Sequence, residues 1–200
     1  MAAWSVMSDG NENLRDPAQV EAEPTKAFFV SMLVRDIDLG DSIVDLIDNC
    51  VDGARRQRGP GPYEGLWVDL RFGPDSFEIR DNCGGMDISI AREYAFRFGR
   101  EEDDPQRVDH SIGQFGVGMK RTLFKLGNHF VIESRTTTNS FTIDERVDDW
   151  RARDDWNFRF ASYSDDDTRN PTSAALRYES KNCTWAWPPN SHWRHSRTSS

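Results

Sequence analysis

Three glycines within six residues, Gly113, Gly116 and Gly118, stand immediately before a helically spaced segment ending near Leu126. Glycines in such a cluster let the backbone adopt conformations closed to other residues. Placed at a helix start, they also let successive N–H groups converge, reinforced by the helix dipole. The run His110-Ser111-Ile112-Gly113-Gln114-Phe115-Gly116-Val117-Gly118-Met119-Lys120 therefore suits an anion, and Lys120 adds a point charge for phosphate. It is not a P-loop. That motif needs Lys directly after its last glycine and then Ser or Thr, whereas here Met119 intervenes and Arg121 follows. A plain flexible loop would carry the same letters.

Two further segments bear chemistry. A helix is expected from about Asp41 to Gln57, with Ile43, Val44, Ile47, Cys50, Val51 and Ala54 sharing one face at ~100° per residue. Asp41, Asp45, Asp48, Asn49 and Asp52 gather opposite. Asp45 and Asn49, four apart, present a carboxylate and an amide on one surface. The amide oxygen could ligate Mg²⁺, a cation that prefers oxygen and grips phosphates. The carboxylate could orient or deprotonate a water. A solvated acidic face is the alternative. Downstream, Ile79-Arg80-Asp81-Asn82-Cys83-Gly84-Gly85-Met86 ends a strand on an acidic residue and breaks into paired glycines. Asp81 could accept a hydrogen bond from an exocyclic amino group such as that of adenine, and the glycines admit a flat ligand. A capped strand-to-helix turn would read the same way.

Residues 1–24 are polar and read as a disordered arm. Lys26 to Val34 reads as a short helix, and Gly59 to Gly65 as a turn. Leu66–Phe72 and Ser76–Asp81 read as a strand pair, as do His129–Thr136 and Ser140–Val147. Asp87–Phe98 is expected to be helical, Gly99–Ser111 a charged loop, and a helix should open after Gly118. The sum is one domain over residues 25–164, an α+β sandwich with helices on one face of a mixed sheet. Beyond Asp165 the character changes. Residues 177–200 hold four Lys/Arg against one Asp/Glu in a chain of formal charge −9, and three of the seven tryptophans fall there. Residues 165–200 are thus expected to be an irregular tail outside the fold, of the kind a truncation or frameshift leaves.

The acidic balance argues against nucleic-acid binding by bulk electrostatics. No apolar run of membrane length exists, and no secretory signal opens the chain. Three dispersed cysteines, Cys50, Cys83 and Cys183, fit a reducing cytoplasm and no zinc site.

Taken in order, Asp-x-x-x-Asn on a helix, Asp-Asn-x-Gly-Gly-Met after a strand, and Gly-x-x-Gly-x-Gly-x-Lys opening a helix resemble the GHKL superfamily of ATPases. That group includes gyrase, MutL, the large heat-shock chaperone, MORC proteins and histidine kinases. The resemblance spans roughly Phe28 to Trp156. IVDLIDNCVDGA, IRDNCGGM, YAFRFGR and SIGQFGVGMKRTLFKLG look like the MORC-like bacterial branch. It implies a Bergerat-type fold that takes ATP and Mg²⁺. By the same resemblance Asn49 is the metal ligand, Asp45 occupies the general-base position, and Asp81 reads adenine, with Gly85 and Met86 lining its pocket. Gly113, Gln114, Phe115, Gly116, Val117, Gly118 and Lys120 surround the phosphates, and Gly99–Ser111 is the lid.

This sequence departs from the pattern in three places. Asp45 stands where the best-known members carry Glu, Cys83 replaces the first glycine of the usual Asp-x-Gly-x-Gly, and the closing Thr-bearing strand has no clear match. The resemblance implies slow ATP hydrolysis coupled to lid closure and nucleotide-dependent homodimer assembly. A nucleotide-gated module without turnover is the second reading. A histidine kinase catalytic domain is the third, weakened by Cys50-Val51-Asp52-Gly53-Ala54 where basic residues usually follow the Asn.

Overall fold

A computed structural model describes residues 20, 22–98, 118–165 and 175–181, with the backbone alone for 175–179. Helix α1 (Lys26–Arg35) opens on Thr25, whose Oγ1 accepts from Phe28 N at 3.2 Å. Helix α2 (Leu39–Arg58) is the long one. Asp38 caps it by accepting from Asp41 N at 2.8 Å. Gly59, at φ 60°, ends it by donating to Arg55 O at 2.8 Å. Both ends thus follow ordinary capping chemistry.

Strands β1 (Val68–Phe72) and β2 (Ser76–Asp81) form a hairpin. A short helix α3 (Ile88–Ile90) runs on as a π turn over Ala91–Ala95, so the segment expected to be helical over 87–98 is helical from Ile88 to Ala95 and changes from α to π form after Ile90. Helix α4 (Gly118–Leu126) leads into the hairpin of β3 (His129–Arg135) and β4 (Ser140–Arg146). Helix α5 (Val147–Ala152), β5 (Phe160–Ser164) and β6 (Ala175–Lys181) follow.

The strand order is β1-β2-β6-β3-β4-β5. Every pairing is antiparallel, so the α+β sandwich is as expected but the sheet is not mixed. The tail differs more. Residues 175–181 are no irregular appendage; β6 lies between β2 and β3 and joins the two hairpins into one sheet. Residues 182–200 and 1–19 lie outside the described residues.

The core forms where α2 and α4 cover one face of this sheet. Strands β2 and β3 alternate buried and half-buried positions, which directs Phe77, Ile79, Phe130 and Ile132 at Leu46, Cys50, Leu123 and Leu126. The buried stripe of α2 is Ser42, Leu46, Cys50, Gly53 and Ala54, which overlaps the face expected at Cys50 and Ala54, while Ile43 and Ile47 pack half-buried at its margin. Val44 is 52% exposed. Hydrophobicity alone misplaced the stripe by roughly one position because small and polar residues, Ser42 and Gly53, take the closest contacts. Ser42 O accepts from Thr122 Oγ1 on α4 at 3.0 Å.

A second cluster of rings, Phe29, Phe98, Phe124, Trp150, Trp156 and Phe158, closes one end. Lys26 holds α1 to it. Its Nζ donates to the carbonyls of Trp150, Arg153 and Asp155 at 2.7, 2.6 and 2.5 Å and lies 4.6 Å from the Trp150 ring centroid. A buried ammonium is tolerable there because all three of its protons meet acceptors.

Candidate nucleotide site

Of the expected site residues, Asp45 and Asn49 lie on α2, and Gly118 and Asp81 each meet that helix. At its N-terminal half, Asp45 meets the first turn of α4. A Cβ added to Gly118 would stand 3.3 Å from Asp45 Cγ and Oδ2, close enough that the carboxylate would have to shift by a few tenths of an ångström to admit it. Arg121, one turn further, donates through Nη2 and Nε to Asp45 Oδ2 at 3.0 and 3.3 Å.

Toward the middle of α2, Cys50 Sγ donates to Asp81 Oδ2 at 3.4 Å. Asp81 ends β2 and is 3% exposed. Its Oδ1 accepts from Cys83 N at 2.7 Å, which folds the loop back under the carboxylate. Burial, and then the Asp81 charge, pushes both thiols up, Cys83 to about 11 and Cys50 further. Both therefore keep their protons at neutral pH, and Cys50 acts as a donor.

Asn49 lies between these two ends. With ~1.5 Å of rise per residue, Asp45 and Cys50 are about 7.5 Å apart along the helix axis. Asn49 Nδ2 is buried and has no hydrogen-bond partner among the described residues. A buried amide left unmatched costs stability unless something else engages it. Around it the carboxylates are not merely wet. Asp48 is raised from the ordinary carboxylate value by burial first, then by Asp45 and Asp52. Asp52, 12% exposed, pairs with Arg55 at 3.5 Å.

The loop after β2 needs its glycines. Gly84 and Gly85 hold φ 108° and 67°, in the left-handed region. A Cβ on Gly85 would overlap the Arg135 carbonyl. Gly53 of α2 has a related task, since a Cβ there would sit 2.8 Å from Cys83 O. Met86 is clasped by β3: its N–H donates to Ser134 Oγ at 2.7 Å, and Ser134 Oγ donates to its carbonyl at 2.9 Å. Asn139 secures the next residues, accepting from Ile88 N at 3.2 Å and donating to Asp87 Oδ2 at 2.7 Å.

Lys120 is 2% exposed, and its Nζ donates to the carbonyls of Ala95, at 3.1 Å, and of Arg97. It thus anchors the end of the π turn to α4. Gly113, Gln114, Phe115, Gly116 and Val117 lie outside the described residues. Sequence reasoning missed Arg121, Cys50 as a partner of Asp81, Gly53 and Ser134. Only Gly53 carried a signal: a glycine inside a helix costs about 1 kcal/mol against alanine and marks a close approach.

The donors fit magnesium. Asn49 offers a hard oxygen ligand, with the Asp45 carboxylate one helical turn away. Among the described residues no group of three or more His, Cys, Asp or Glu could hold a metal without help.

The family model described as histidine kinase-, DNA gyrase B- and HSP90-like ATPase matches residues 37–173. The chain belongs to that family, and its α+β sandwich is the corresponding fold. No curated protein matches the chain. Membership makes ATP the nucleotide to expect at this site. No helix among the described residues is long and apolar enough to cross a membrane.

Proposed function

We propose that this chain is a Mg²⁺-dependent ATP-binding domain that hydrolyses ATP slowly. One observation carries the reading. Asp45 and Asn49 stand on α2, Asp45 against the glycine that opens α4, and Asp81, at the end of β2 before the paired glycines, meets the same helix through Cys50. That order gives a phosphate end and a base end.

At the base end, Asp81 accepts from the adenine amino group while Gly85 and Met86 leave room for the ring. At the other, the N-terminus of α4 and the glycines before it receive the phosphates, with Gly113–Gly118 as the cradle and Lys120 bracing its wall. Bound Mg²⁺ would neutralise charge on the phosphate oxygens. Asn49 would hold it through its amide oxygen, and Asp45 would orient the attacking water. Residues 99–111 serve as the lid, and its closure couples nucleotide state to assembly of two copies. Turnover is slow because Asp45 reaches less far than a glutamate and hydrogen-bond reach governs general-base efficiency.

The metal assignment has a direct test. Asn49→Ala should weaken binding of ATP by about tenfold or more when Mg²⁺ is present and change it little when the metal is chelated. Equal losses in the two conditions would reduce Asn49 to a structural residue.

A further inference from the structure

Arg121 belongs to neither the glycine cradle nor the acidic helix, yet it is the residue of α4 whose side chain hydrogen-bonds Asp45. Two of its nitrogens share a single oxygen, Asp45 Oδ2, at 3.0 and 3.3 Å. Arg121 Nη1 and Asp45 Oδ1 have no hydrogen-bond partner among the described residues. The pair is partly open to water, at 36% and 25% exposure. An ion pair of that kind shifts an equilibrium by about fivefold at most. It holds the guanidinium in place without saturating it.

Position and charge give this cation its task. The Asp45 carboxylate rests against Gly118 at the start of α4, the end of a helix that attracts anions. Arg121 lies one turn along, and among the described residues one edge of its fork meets no partner. The acidic row Asp45, Asp48 and Asp52 would repel a triphosphate unless a positive charge stood between. Arg55 answers Asp52 near the other end of the row, and Arg121 answers Asp45. A phosphate oxygen pair with close to two negative charges is a stronger partner for a planar fork than one carboxylate oxygen.

We propose that Arg121 reads the terminal phosphate of the nucleotide, moving from Asp45 Oδ2 onto the γ-phosphate oxygens when ATP binds and releasing the Asp45 carboxylate. ADP, without that phosphate, leaves the ion pair made. The chain then distinguishes ATP from ADP with a cation of its own α4. This rests on the ATP-binding reading above, and names how that site tells one nucleotide from another.

Calorimetric titration of the full chain with Mg·ATP and with Mg·ADP tests it. Arg121→Ala should lower ATP affinity about 10- to 100-fold and leave ADP affinity within about twofold. Arg121→Lys, which keeps the charge but not the fork, should recover part of the loss. An unchanged ATP-to-ADP ratio in Arg121→Ala overturns the proposal while leaving the ATP site standing. Should Arg121→Ala not fold by circular dichroism, the same comparison is made on Arg121→Lys, where an unaltered ratio counts equally against it. If the wild-type chain binds neither nucleotide, the ATP-binding reading falls and this inference falls with it.

Discussion

Replacing Asp81 by Asn should abolish selection of adenine and cost about 100-fold or more in ATP affinity. The substitution keeps the shape. It retains an Oδ1 that can accept from Cys83 N, the contact that folds the loop beneath it at 2.7 Å. What changes is polarity: one carboxylate acceptor becomes an amide donor, facing the donor amino group of adenine. A buried donor set against another donor leaves both unmatched, which is why sites built around one hydrogen bond reject the wrong partner so strongly. The same change presents a donor to a ring carbonyl, so GTP should gain relative to ATP. Competition between the two nucleotides for the wild-type and Asp81→Asn chains reads both effects. An unaltered preference for ATP would remove Asp81 from the base pocket.

Gly85→Ala should be the most damaging single-methyl addition at the site, lowering stability by about 3 kcal/mol or more and disabling nucleotide binding with it. Two penalties act together. The residue sits at φ 67°, where a side chain is strained by about 1–2 kcal/mol. The new Cβ would also overlap the Arg135 carbonyl, and backbone of a central hairpin cannot step aside cheaply. Gly84→Ala separates the terms. Its φ of 108° is equally unfavourable, but the nearest atoms are side-chain carbons of Gln57, 3.6 Å away at the closest, so it should cost only the backbone strain. Urea denaturation of both variants makes the comparison. Equal losses would show that the close approach to β3 contributes nothing.

Much of this architecture was legible in the letters. The α2 signal was strong because a capped, 20-residue amphipathic run leaves few alternatives, and both hairpins announced themselves through alternation and turn residues. Which face of α2 turns inward was harder to read. Ser42 and Gly53 rank low on any hydrophobicity scale, yet they allow the closest packing, against Thr122 and Cys83. Strand β6 had a readable pattern too, since Leu176, Tyr178 and Ser180 alternate with Arg177, Glu179 and Lys181. The basic, tryptophan-rich composition around it obscured seven residues that pair with strands about 50 and 100 positions away.

At the site, the residue types of Asp45, Asn49 and Asp81 were visible because their chemistry is carried by spacing along one helix and by a strand end. Their supports were not. The buried ammonium of Lys26 on three carbonyls, the clasp of Ser134 on Met86 and the fork of Arg121 on Asp45 all depend on contacts between elements far apart in sequence. No local pattern marks which lysine, serine or arginine will be the one that reaches. Lys120 shows the limit from the other side. Its place beside the glycines suggested phosphate, while its ammonium holds the carbonyls of Ala95 and Arg97.

The central claim is that α2 separates an adenine-reading end from a metal-and-phosphate end within one ATP site. Calorimetric titration of the wild-type chain with ATP and GTP, each with Mg²⁺ and with chelator, tests both ends in one experiment. The account predicts a single site per chain that prefers ATP to GTP and binds ATP more tightly with Mg²⁺ than without. Binding that is indifferent to the base and to the metal, or no binding of ATP at all, would contradict it.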